Sequence, residues 1–126
     1  MDAKLLNPSV LSFVGDAVYG LLVREKLAQV SRPSGQLHSL SVKLVNAVSQ
    51  AKAYEIISEK LTEDEIAAFK RGRNFHTGNT PKNATKGEYH LATGLESLFG
   101  YLHLSGNESR ARELFELIWE HFSQEL

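Results

Sequence analysis

Cysteine is absent from this 126-residue chain. That excludes a disulfide scaffold and any Cys-based zinc site. No stretch reaches the ~18 consecutive apolar residues of a membrane span. The N-terminal Met1-Asp2-Ala3-Lys4 lacks the charged-then-apolar layout of a signal peptide. The expectation is therefore a cytoplasmic protein with no membrane partner. Charge of one sign is also missing: the net charge is -1, so overall charge gives no support for a nucleic-acid partner. Histidine pairs at metal-ligand spacing, a nucleophile elbow and a glycine-rich phosphate loop do not occur. What remains is 42% hydrophobic and 23% charged, an ordinary globular composition at a length for one domain, residues 1–126.

Charge is distributed unevenly. No acidic residue lies between Ile66 and Gly87, yet Lys70, Arg71, Arg73, Lys82 and Lys86 all do, with His76 among them. Such a segment on a neutral protein is either a solvated loop or a surface that meets an anion.

Apolar spacing is helical nearly throughout, and no strand alternation is convincing, so the fold class is all-α. Asn7-Pro8 is a cap and first-turn pair opening a helix to about Ala28. After the break at Arg32-Pro33-Ser34-Gly35, one helix carries Leu37, Leu40, Leu44, Val48 and Ala51 at core spacing and ends near Lys60. Thr62 and Glu65 form a capping box for a short helix through Lys70. Gly72 to about Ala84 reads as a loop. A helix from about Thr85 to Leu104 follows, then a turn at Ser105-Gly106-Asn107. The last helix places Ala111, Leu114, Phe115, Ile118 and Phe122 on one stripe.

Two isolated acids carry the chemistry. Asp16 sits in an apolar run from Val10 to Val23, and Glu96 in Leu91 to Phe99. A helix that apolar is expected to be buried, and a carboxylate inside it is costly unless paired or coordinated. Ser12, Asp16 and Gly20 recur every four residues and form one strip; Thr93, Glu96 and Gly100 form a second. Gly15, Gly20, Gly94 and Gly100 each cost helix stability, and close approach of two helices is the simplest reason for them. Such an approach would bring Asp16 near Glu96. Two facing carboxylates repel unless a cation lies between them, and Mg2+ or Mn2+ suits such oxygen ligands. The alternative is that Asp16 pairs with a buried Arg or Lys, or caps a neighbouring helix.

Phe13-Val14-Gly15-Asp16-Ala17-Val18 resembles the core of the ribonuclease III signature, Glu-Phe-Leu-Gly-Asp-Ala-Val. Thr93-Gly94-Leu95-Glu96-Ser97-Leu98-Phe99-Gly100 resembles that family's second acidic motif, Asp-x-x-Glu-Ala-Leu-Ile-Gly. Leu44-Val45-Asn46 and Arg71-Gly72-Arg73-Asn74 fall in the right order. The likeness spans about Asn7 to Leu104. The length leaves no room for the double-stranded RNA-binding domain of ordinary ribonuclease III. With Pro81-Lys82-Asn83 flanking the loop, the chain is most similar to the short bacterial branch, Mini-ribonuclease III.

The resemblance implies a homodimeric, Mg2+-dependent endonuclease (Mn2+ as a substitute) that cuts double-stranded RNA into 5′-phosphate and 3′-hydroxyl ends. It also implies maturation of 23S ribosomal RNA precursor ends in the bacterial cytoplasm, with a ribosomal protein as a candidate partner. By position it assigns Asp16 and Glu96 to catalysis and to the metal, and Phe13 to the dimer interface. Lys70, Arg71, Arg73, Lys82 and Lys86 would grip phosphates. Ser12 and Thr93 stand where relatives have acids, which makes them outer-sphere candidates. They are also the best argument for a rival: a non-catalytic RNA-binding or ribosome-associated module of the same fold. A helical protein-interaction domain is the third reading.

Overall fold

The structure is a computed structural model that describes residues 2–30, 32–75 and 82–126. Within them lie six α-helices: α1 (Pro8–Leu27), α2 (Ser34–Val45), α3 (Ala47–Ile57), α4 (Glu63–Arg73), α5 (Lys86–Leu104) and α6 (Glu108–Ser123). The all-α reading holds.

The helix starts follow local chemistry. Asn7 accepts a hydrogen bond from the Ser9 amide, and Pro8 occupies the first turn, where its missing N–H costs nothing. Thr62 with Glu65, and Thr85 with Glu88, close full capping boxes at α4 and α5. Asn107 occupies the cap position of α6 without a capping hydrogen bond from its side chain.

The single helix expected from Leu37 to Lys60 is two. Asn46, at φ -72° and ψ 164°, leaves the helical region and serves both halves. Its carboxamide nitrogen donates to the carbonyls of Val42 and Lys43, and its oxygen accepts from the Ser49 amide. An Asn can replace helical hydrogen bonds in this way, so the break is inexpensive. It also resets the helical phase. Val48, expected in the core, is 43% exposed, whereas Gln50 is only 3% exposed.

α5 is the central helix, packed by α1, α4 and α3. Leu95, Leu98 and Phe99 are fully buried there. Tyr19 of α1 meets Phe99 and Phe115 edge-on at 5.3 and 5.4 Å, which ties α6 into the same core. The α1–α5 crossing is set by two glycines. A Cβ on Gly15 would lie 1.6 Å from the Glu96 carbonyl oxygen, and one on Gly100 would lie 1.9 Å from that of Leu11. Gly94 plays the same part against Phe69 of α4. Gly20 does not: a Cβ there would meet only the Arg24 side chain.

α1 is not buried on most sides, contrary to expectation. Leu11, Tyr19, Leu22, Val23 and Leu27 enter the core, but Phe13 is 80% exposed, Leu21 56% and Val10 42%. Asp16 is on this open side and is itself exposed. The apolar residues of α1 serve two faces, and only one is covered by the described residues of the chain.

Candidate active site

The α1–α5 crossing places the two acidic motifs against one another. Ser12 and Asp16 project from α1, Thr93 and Glu96 from α5, and all four line one cleft of about 290 Å³. Ser9, Phe13, Phe75 and Tyr89 complete its wall. Gly15 permits this contact, because any side chain there would force α1 away from the Glu96 backbone.

Ser12 Oγ donates to Glu96 Oε1 at 3.2 Å. Burial pushes the Glu96 carboxyl up to about 8, and hydrogen bonding and charge from Asp16 push the same way. Ser12 and the Gln50 amide work in the opposite direction without overcoming burial. Among the described residues neither Asp16 nor Glu96 forms a salt bridge. The alternative of a buried Arg or Lys partner for Asp16 therefore does not describe this site.

This donor set fits a hard divalent cation. Two adjacent carboxylate side chains, one of them destabilised as an anion, gain from a positive charge between them. The open cleft leaves room for the waters such a cation retains. No cluster of three or more His, Cys, Asp or Glu is present among the described residues, so the protomer offers a two-acid site rather than a full cage. Thr93, which lines the cleft, donates from Oγ1 to the Tyr89 carbonyl at 3.0 Å and so spends its hydrogen within α5.

The five basic candidates separate. Arg71 donates to the carbonyls of Lys4, at 2.6 Å, and Leu6, and so ties the N-terminal segment to α4. Arg73 donates to Asn74 Oδ1 at 3.1 Å and lies over the Phe69 ring at 5.9 Å. Lys70, Lys82 and Lys86 are exposed. Lys86 opens the face of α5 that continues through Tyr89, Thr93 and Glu96, about 15 Å along the helix from the acid. The centre of the expected basic loop, with His76 and Pro81, lies outside the described residues.

Gln50 escaped the sequence reading, as did Ser9, Phe75 and Tyr89. The available signal for Gln50 was Asn46 followed by Ser49, a helix-start pattern that shifts the phase of everything after it.

The Ribonuclease III domain family model matches residues 9–107. A protein of Thermoanaerobacter sp. (strain X514) named Mini-ribonuclease 3 is 43% identical over 113 residues, covering 89% of this chain and 80% of its own. The Mini-ribonuclease 3 of Brevibacillus brevis is 41% identical over 116 residues, with 91% and 87% covered. The crystal structure of protein FN1578 from Fusobacterium nucleatum superposes with a TM-score of 0.83 at 30% identity, covering 99% of this chain and 98% of that one.

Proposed function

The chain belongs to the ribonuclease III family and is an endoribonuclease of double-stranded RNA, and we propose that Asp16 and Glu96 form its metal-dependent active site. The observation that carries this reading is the pair itself: two acids from distant motifs, in contact across a glycine-permitted helix crossing and open to a cleft.

Asp16 and Glu96 would hold Mg2+, with Mn2+ as a substitute. When bound, such a cation makes water a stronger nucleophile near neutral pH and offsets charge on the phosphoryl transition state. The protein's own contribution is orientation. Ser12 fixes one oxygen of Glu96, and Thr93, its hydroxyl hydrogen held by the Tyr89 carbonyl, would accept from water in the cleft. Lys70, Lys82 and Lys86 present exposed ammonium groups to the phosphates of an A-form helix, which is read by shape and backbone. Hydrolysis leaves a 5′-phosphate and a 3′-hydroxyl.

The working unit is a two-fold homodimer built on the open face of α1. Val10, Phe13 and Leu21 form an exposed apolar stripe at helical spacing, of the kind that marks an interface. Phe13 also borders the cleft, so a second copy seated there adjoins the active site. Two symmetric sites suit the two antiparallel strands of a duplex. The substrate is the 23S ribosomal RNA precursor in the bacterial cytoplasm, with a ribosomal protein as the helper that presents it. No helix among the described residues is long and apolar enough to cross a membrane.

Purified protein incubated with long double-stranded RNA, with Mg2+ or with EDTA, tests the reading. Cutting in Mg2+ that stops in EDTA supports it; cutting that survives EDTA sinks the metal role. Size-exclusion chromatography with light scattering of wild type and Phe13→Glu tests the dimer, which the variant should convert to monomer.

A further inference from the structure

Gln50 does not line the cleft that holds Asp16 and Glu96. It lies on α3, which packs against α5, and it is 3% exposed. Its Nε2 is sealed from solvent and has no hydrogen-bond partner among the described residues. Buried amide donors are nearly always paired, and an unpaired one is retained where function demands it. The amide lies next to the Glu96 carboxyl, across the contact of α3 with α5. Glu96 is thus approached by a hydroxyl from α1, Ser12, and by an amide from α3.

We propose that Gln50 is a positioning residue for Glu96. Its amide would donate to the carboxylate once that is ionised and, with Ser12, leave the remaining lone pairs for a cation shared with Asp16. A carboxylate offers about four acceptor positions, enough for two protein donors and a cation together. Outer groups of this kind orient metal-binding carboxylates, and their loss commonly costs 10–100-fold in metal affinity. The proposal rests on the assignment of Glu96 as a metal-binding residue, and it explains why a polar side chain occupies an interior position on α3.

Gln50→Met keeps the length of the side chain and removes the donor. Mn2+ binding, followed by the loss of the free-ion electron paramagnetic resonance signal, should weaken about tenfold. Cleavage should lose kcat while KM for the RNA holds. The melting temperature of the metal-free protein should stay level or rise, because an unpaired buried amide is exchanged for an apolar group. A residue serving only the packing would show the reverse: a lower melting temperature with Mn2+ binding and kcat unchanged, which overturns the proposal. Gln50→Asn keeps the amide but shortens its reach; it should fall in the same direction and carries the test if Gln50→Met does not fold. Wild-type protein that binds no Mn2+ overturns the metal assignment and this proposal with it. Wild-type binding with both variants unchanged overturns this proposal alone.

Discussion

Two acids of this protein, one buried and one half-buried, are withdrawn from solvent with opposite consequences. Glu65 on α4 is 4% exposed. Arg110 of α6 donates to both its oxygens, at 2.9 and 3.0 Å, and the Thr62 amide donates to it as well. Burial alone would raise its pKa; the hydrogen bonds from Arg110 and Thr62 outweigh that and hold the carboxyl below the usual range. Glu96 faces another acid and is pushed up to about 8. The difference teaches that burial does not mark a site; the partner does. An acid that meets an arginine joins two helices, whereas an acid that meets an acid is a candidate for function.

The sharpest way to break this comparison is to neutralise each acid in turn. Asp16→Asn or Glu96→Gln should lower cleavage of double-stranded RNA by at least ~10³-fold, the loss of several kcal/mol of transition-state stabilisation, with the circular dichroism spectrum unchanged. Glu65→Gln should do the opposite. Activity should stay within a few-fold at low temperature, while stability in urea falls by about 3 kcal/mol, because Arg110 is left partly unpaired. If Glu65→Gln silenced the enzyme without destabilising it, the division between the two regions would fail.

Gly15→Ala probes the contact that creates the acidic pair. The added methyl meets the Glu96 carbonyl, so α1 must shift. Stability should drop by about 1–3 kcal/mol, and activity should drop with it. Equal stability and activity in this variant would show that the crossing does not set the site.

A pH series sharpens the comparison further. An acid whose folded pKa lies above its ordinary value of 4.5 stabilises the fold while protonated and loses that contribution as pH rises through about 8. The metal-free protein should therefore lose about 5 °C in melting temperature between pH 6 and pH 9 through Glu96. Mn2+ should restore more of it at pH 9 than at pH 6, because cation binding requires the ionised form. Glu96→Gln should flatten both trends. Glu65, held low by Arg110, adds its stability at neutral pH and loses it only as pH falls through its depressed folded pKa.

The smallest effect concerns the basic residues. Lys86→Ala should reduce the salt dependence of RNA binding by about one unit of slope, the signature of one lost phosphate contact. Arg71→Ala should leave that slope alone and loosen the N-terminal segment instead, since its guanidinium is committed to the carbonyls of Lys4 and Leu6. A slope lowered equally by both would return Arg71 to the RNA-binding surface.

The sequence by itself determined the all-α class, most helix limits and the two acidic strips, because caps and apolar spacing act over a few residues. Asn7-Pro8, the capping box of Thr62 and Glu65, and the core stripe of α6 are all such local signals. The helix glycines sufficed to suggest the pairing of Asp16 with Glu96, and motif order the family. Only the tertiary structure decided the rest. Asn46 breaks a helix and turns Gln50 inward, an outcome that depends on how α3 packs against α5. The open face of α1 looked like core because an exposed apolar stripe and a buried one have the same composition. Glu65 and Glu96 are both glutamates on helices. What separates them is the group each one meets, and that group comes from a helix distant in the chain: Arg110 for one, Asp16 for the other.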